Sequence, residues 1–181
     1  MTELNTSWTS QAEAAVQRMT ASGGVAGLAK GEQLAGKSGR EILEGMMSGE
    51  LPYPPINDTM NMTLIEVSEG RVVFQGTPEF RHYNPLGAVH GGWFATLLDS
   101  ALGCAVQTTL PAGRSYTTAE LSVNIVRSAS HKTGPLRAVG NVIHGGRQMA
   151  TAEARIEDES GKLYAHATTT CFVFDMTQTP Q

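Results

Sequence analysis

His90-Gly91-Gly92-Trp93-Phe94-Ala95-Thr96-Leu97-Leu98-Asp99-Ser100-Ala101-Leu102-Gly103-Cys104-Ala105-Val106 is the stretch on which the fold turns. At about 100° per residue, Trp93, Phe94, Leu97, Leu98, Ala101, Leu102, Cys104 and Ala105 spread over more than half of a helical wheel. A helix that apolar belongs inside a core rather than on a surface. Its remaining face, Thr96, Asp99, Ser100, Gly103 and Gln107, is mostly small, so another backbone or a ligand can come close.

Strand-like segments flank this helix. Residues 61–67 and 71–76 are separated by Ser68-Glu69-Gly70, the signature of a hairpin. After Pro111-Ala112-Gly113 come 116–126, 136–143, 148–157 and 162–174. In the third of these, Ala150, Ala152, Ala154 and Ile156 alternate with Thr151, Glu153, Arg155 and Glu157. Asp158-Glu159-Ser160-Gly161 reads as a hairpin loop. The order β-β-α-β-β-β-β, without strand–helix alternation, predicts an α+β domain with one antiparallel sheet around one long helix.

Residues 1–55 read as an N-terminal extension, helical or partly disordered, ahead of a main domain at 56–176. A short helix is expected over 8–19, followed by a flexible stretch through Gly23, Gly24, Gly27, Gly31 and Gly36. Ser38-Gly39-Arg40-Glu41 matches a capping box that opens a second helix through Ile42, Leu43, Met46 and Met47, with Gly49 as its stop. Pro52, Pro54 and Pro55 forbid regular structure at the entry to the main domain.

The 181 residues carry 13 Lys and Arg against 17 Asp and Glu, a net charge of −4, which argues against a nucleic-acid partner. Cys104 and Cys171 lie among apolar residues and are expected as reduced thiols. His82, His131 and His166 lack metal-ligand spacing, so no metal is expected. No run approaches the ~20 apolar residues of a membrane span, and the first residues lack the plan of a secretory signal. A cytoplasmic protein is the expectation.

Asp99 is out of place. It lies about two turns into the helix, beyond the reach of the dipole's positive end, and it is a poor helix former there. Burying it unpaired would cost several kcal/mol or keep it protonated. Either neighbouring hydroxyls satisfy it, or it is a reactive carboxylate. His90-Gly91-Gly92 opens the helix, where amides without internal partners can receive an oxyanion. Eight residues separate Gly91 from Asp99, about 12 Å along the axis. One site can use both only if the acid comes from a second copy of the chain.

Asn84-Pro85-Leu86-Gly87-Ala88-Val89-His90-Gly91-Gly92 with Asp99 resembles the signature of the PaaI-type hotdog-fold acyl-CoA thioesterases. The likeness continues through residues 116–127 and the Gly146-Arg147 turn, covering roughly 55–174. It implies a hotdog, a long helix wrapped by an antiparallel sheet, assembled as a homodimer or homotetramer with shared sites. By position, Asp99 matches the catalytic carboxylate, Gly91 the oxyanion amide, and Asn84 the residue orienting the thioester or water. Thr118 falls where a Ser or Thr assists the acid. Asn84 and Gly91 would come from one subunit, Asp99 and Thr118 from its partner. His90 is expected to fix its loop through ring hydrogen bonds, with a direct catalytic role the lesser alternative.

Coenzyme A would lie along the segments matching Gly92, Arg127, Ser128, His144, Gly145, Gly146, Arg147 and Gln148; guanidinium suits its phosphates. The resemblance implies hydrolysis of an acyl-CoA, with Asp99 as general base or nucleophile and no cofactor beyond the CoA of the substrate. Two alternatives use the same fold. One is an enoyl-CoA hydratase or dehydratase, which would need a catalytic His; the other is an acyl-CoA sensor that only binds.

Overall fold

The computed structural model describes residues 7–176. Four helices come first: α1 (Trp8–Ala21), α2 (Gly31–Leu34), α3 (Gly39–Ser48) and α4 (Ile56–Met60). The hairpin β1 (Met62–Ser68) and β2 (Arg71–Gly76) follows, then a 3-10 turn at Phe80–His82 and the long helix α5 (Gly91–Thr108). The strands β3 (Arg114–Ile125), β4 (Leu136–Gly145), β5 (Met149–Glu157) and β6 (Leu163–Asp175) complete the chain. All six strands form one antiparallel sheet in the order β1-β2-β4-β5-β6-β3. The sheet wraps α5, which is the α+β hotdog architecture.

The core is the apolar face of α5 against the inner face of the sheet. Trp93, Phe94, Leu97, Leu98, Ala101, Leu102, Ala105 and Val106 are buried there, with Ala150, Ala152, Ala154 and Ile156 of β5 opposite. The small β5 side chains let the sheet curl tightly around the helix. At Gly140 of β4 the approach is closest: a Cβ there would overlap the Ala101 carbonyl. On β3 the register with β6 shifts between Thr118 and Glu120. The extra residue, Ala119, switches the inward set from Tyr116 and Thr118 to Leu121 and Val123. The bulge therefore lets one strand present a polar residue to α5 and still contribute apolar ones.

The N-terminal segment is more ordered than its glycines suggest. A Cβ on Gly24 would strike Met19, and one on Gly39 would overlap the Gln107 carbonyl, so these glycines are points of close packing. Ala26 forms a bridge with Tyr53, and α2 occupies part of the stretch expected to be flexible. The Ser38–Glu41 capping box starts α3, and Gly49 ends it at φ 86 in the left-handed region. Regular structure resumes sooner after the prolines than expected, because Pro55 carries helical angles and serves as the N-cap of α4.

The first helix, α1, docks on the outer face of the sheet through Arg137 of β4. That guanidinium lies 4.4 Å from the Trp8 ring centroid and donates to Gln75 Oε1 (2.9 Å) and Gln11 Oε1 (2.7 Å). Among the described residues, no helix is long and apolar enough to cross a membrane.

Candidate active site

Asp99 is half-buried on the outward stripe of α5, and its Oδ1 accepts a hydrogen bond from Thr118 Oγ1 at 3.0 Å. A hydroxyl thus satisfies part of the carboxylate that the helix interior cannot. One turn on, Gly103 has no side chain because the Tyr116 ring and hydroxyl occupy that space. Burial holds the Tyr116 phenol well above its ordinary pKa, with the nearby Cys104, Cys171 and Asp99 adding to the shift. The Cys104 thiol is pushed up to about 12, by burial first and the Asp99 charge second. Cys104 and Cys171 are both free thiols, and the raised pKa keeps Cys104 in its thiol form near neutral pH.

His90 is the N-cap of α5. Its Nδ1 accepts from the Gly92 amide at 2.8 Å, which leaves the ring proton on Nε2. The two glycines consequently differ: the Gly92 N–H is committed to His90, while the Gly91 N–H has no acceptor among the described residues. Gly91 also lies against Ile125 of β3, whose Cδ1 would be 3.2 Å from an added Cβ. Asn84 Oδ1 accepts from the Leu86 (2.9 Å) and Ala88 (3.2 Å) amides, closing the loop before the helix. Its side-chain amide remains as a donor. A cleft of about 600 Å3, bordered by Met60, Tyr83, His90, Gly92, Trp93 and Thr96, opens beside this loop.

The remaining expected residues fall at two ends of the sheet. Arg127 and the exposed Ser128 follow β3 at the Leu163–Tyr164 end of β6; Arg127 Nε donates to the Leu163 carbonyl at 3.2 Å, and its guanidinium lies 5.9 Å from the Tyr164 ring centroid. His144, Gly145, Gly146, Arg147 and Gln148 turn from β4 to β5 at the other end, where the Val173 amide donates to Gln148 O at 3.0 Å. From Tyr164 to Val173 is nine residues of β6, about 30 Å. A single chain does not bring the two groups together.

Arg114, at the start of β3, escaped sequence reasoning. It donates to the Arg147 carbonyl, pairs with Asp175 at 3.2 Å, and keeps a buried Nε without a partner among the described residues. Together Arg114 and Arg147 border a cleft of about 310 Å3 with Thr109, Gly145 and Gly146. An arginine after a Pro-Ala-Gly turn carries no sequence signal; only the strand pairing brings it to Arg147. A further cleft, about 740 Å3 between α1 and β1–β2, touches none of the expected site residues. Among the described residues no cluster of His, Cys, Asp or Glu could hold a metal ion.

Residues 86–165 match the Thioesterase superfamily. The chain is similar to the 1,4-dihydroxy-2-naphthoyl-CoA hydrolase of Listeria monocytogenes serotype 1/2a (strain 10403S), at 25% identity over 108 residues, covering 60% of this chain and 86% of that hydrolase. Among solved structures it is similar to a phenylacetic acid degradation-related protein from Ralstonia eutropha JMP134, with TM-score 0.66 and 28% identity over 72% of this chain and 98% of the other. A protein from Streptococcus mutans UA159 bound to acetyl-CoA superposes with TM-score 0.58 and 26% identity, over 64% and 90% of the two chains. The architecture and these likenesses define a hotdog-fold protein. Within that class, the likeness to thioesterases is carried by residues 86–165, the stretch that matches the superfamily.

Proposed function

We propose that this protein is an acyl-CoA thioesterase of the PaaI type, working as an oligomer whose sites are shared between subunits. The observation that carries the reading is the Asp99 carboxylate, half-buried and held by Thr118 on the same α5 whose first amide, at Gly91, has no acceptor among the described residues. In this reading residues 56–176 are the thioesterase domain and 1–55 an appendage to it, in a reducing cytoplasmic setting that suits two free thiols.

Geometry supports the sharing. Three contacts make α5 run antiparallel to β3: Gly91 beside Ile125, Asp99 on Thr118, and Gly103 under Tyr116. β3 is an edge strand of 12 residues, largely exposed along its length. Antiparallel pairing of two such edges about an axis near Leu121–Ser122 would set Thr118 opposite Ile125 of the partner subunit. Asp99 of one chain then faces the Gly91 amide of the other. The same pairing would carry the Arg127 segment of one chain to the Arg114 end of its partner, so both groups of expected CoA-binding residues meet across the dimer.

In the site so formed, the thioester carbonyl oxygen accepts from the Gly91 N–H, with the Asn84 amide beside it. Asp99 either takes a proton from water as that water forms the new C–O bond, or attacks the carbonyl to give an anhydride that water opens. Either way the C–S bond breaks with its electron pair on sulfur, and CoA leaves as a thiolate that is then protonated. Donors fixed where the oxyanion develops are worth several kcal/mol. His90 serves this scheme as a cap, its Nδ1 spent on Gly92, which weighs against a hydratase that would need that nitrogen.

A thiol-release assay over short, medium, long and aromatic acyl-CoAs tests the proposal. The wild type should turn over at least one class and Asp99→Asn almost none. Tight acyl-CoA binding without CoA release over hours would establish a sensor instead.

A further inference from the structure

The cleft between α1 and the β1–β2 hairpin lies against the outer side of the sheet, in the part of the chain that precedes the stretch matching thioesterases. Its volume, about 740 Å3, falls within the ~300–1,000 Å3 of small-molecule sites. Thr63, Gln75 and Thr77 form the floor. Glu13 of α1 stands on one wall, with Asp58 of α4 and the preceding Tyr53 on the other.

Gln75 is the telling residue. Phe74 and Gly76 on either side of it turn toward α5, so Gln75 points outward, yet beneath α1 it is only 3% exposed. Arg137 Nε donates to its Oε1 at 2.9 Å, which fixes the amide with its two N–H donors away from the guanidinium. Those donors have no acceptor among the described residues, and Gln75 borders the cleft. Buried donors are normally paired, so an acceptor oxygen brought into the cleft completes this side chain. The hydroxyls of Thr77 and of Thr63, the cross-strand partner of Gln75, also make no hydrogen bond among the described residues.

The walls narrow the choice of occupant. Glu13 and Asp58 make no ion pair among the described residues, and no Lys, Arg or His borders the cleft. A phosphate or carboxylate would meet two like charges with no cation to offset them. An apolar ligand would leave the Gln75 donors unpaired. Hydroxyl groups satisfy both, since each accepts from an amide N–H and donates to a carboxylate oxygen. Tyr53, whose hydroxyl lies 3.5 Å from Asp58 Oδ2, adds a ring against which the C–H face of a pyranose can pack. We propose that this cleft is a binding site for a neutral saccharide, with Gln75 and Thr63 donating to its oxygens and Asp58 and Glu13 accepting from its hydroxyls. The site is separate from the proposed thioesterase centre and does not depend on that reading.

Saturation-transfer NMR followed by titration calorimetry tests it on the full-length protein. The probes are maltotriose, cellotriose and tri-N-acetylchitotriose, with spermidine as a probe of charge alone. At least one saccharide should bind with a Kd of about 1 mM or tighter. Gln75→Met and Thr63→Val should each weaken that saccharide by about tenfold, the contribution of a single hydrogen bond. The Thr63 hydroxyl has no partner in the fold, so Thr63→Val should keep the wild-type melting midpoint and its loss of affinity reports on the ligand alone. No saccharide bound at about 10 mM, unchanged affinity in both variants, or spermidine bound in place of the saccharides would each overturn the proposal. Thiol release from acyl-CoA is read separately, so failure of either proposal leaves the other standing.

Discussion

Thr118 and Asp99 meet at 3.0 Å although they lie on different elements, because the β3 bulge at Ala119 keeps Thr118 on the helix side of the sheet. The hydroxyl has one proton, and giving it to Oδ1 orients the carboxylate while leaving Oδ2 for a water or a carbonyl carbon. Thr118→Val keeps the shape and removes the donor. A hydrogen bond to a charged group contributes about 1.5–3 kcal/mol, so kcat should fall roughly tenfold or more with KM little changed.

Asp99→Asn should lower kcat by about 10²–10⁴, the range general bases supply, and leave the thermal midpoint within a few degrees of wild type. The amide can still accept from Thr118, so the fold has no reason to fail. Thiol release and a melting curve on one preparation check both halves.

Mixing separates shared sites from self-contained ones. Asp99→Asn and Asn84→Ala are each expected to be nearly inactive alone. Co-refolded in equal amounts, a two-fold dimer with sites across the interface regains about a quarter of wild-type activity, since half the dimers carry one intact site. If each chain built its own site, the mixture would stay as inactive as its parts.

Gly140→Ala probes the wrap of the sheet around α5. Its new Cβ would overlap the Ala101 carbonyl, a backbone atom with no rotamer to escape into. Overpacking of this kind costs typically about 1–3 kcal/mol, readable as a lower urea midpoint at unchanged slope.

The α3 cap has a pH signature. The Ser38 amide and hydroxyl both donate to Glu41 Oε2 at 2.7 Å, the amide having the larger influence, and hold its carboxyl below the ordinary glutamate range. A folded-state pKa that is lowered contributes stability above the unfolded pKa and loses it as pH falls through the folded one. The advantage of wild type over Glu41→Gln should therefore be present at about pH 6 and vanish towards about pH 3, measured as the difference between their thermal midpoints.

Much of this was legible in the chain. The apolar circumference of α5, the alternation of β5, the Ser38–Glu41 box and the odd placement of Asp99 are local patterns, because side-chain period and capping chemistry act over a few residues. The eight-residue gap between Gly91 and Asp99 likewise raised the expectation, carried into the proposed function, that a site using both draws the acid from a second copy. What local pattern could not reveal was which distant residues share a neighbourhood. Arg114 beside Arg147, Tyr116 filling the space over Gly103, Arg137 gripping Trp8, and α3 closing a cavity at Cys104 all depend on strand order and helix docking. The glycines before α3 show the difference most clearly. In sequence they signal freedom, yet Gly24 and Gly39 are small because other backbone and side-chain atoms fill the space a side chain would need. That is decided by packing across the whole molecule, where the partners lie tens of residues away and no local pattern records them.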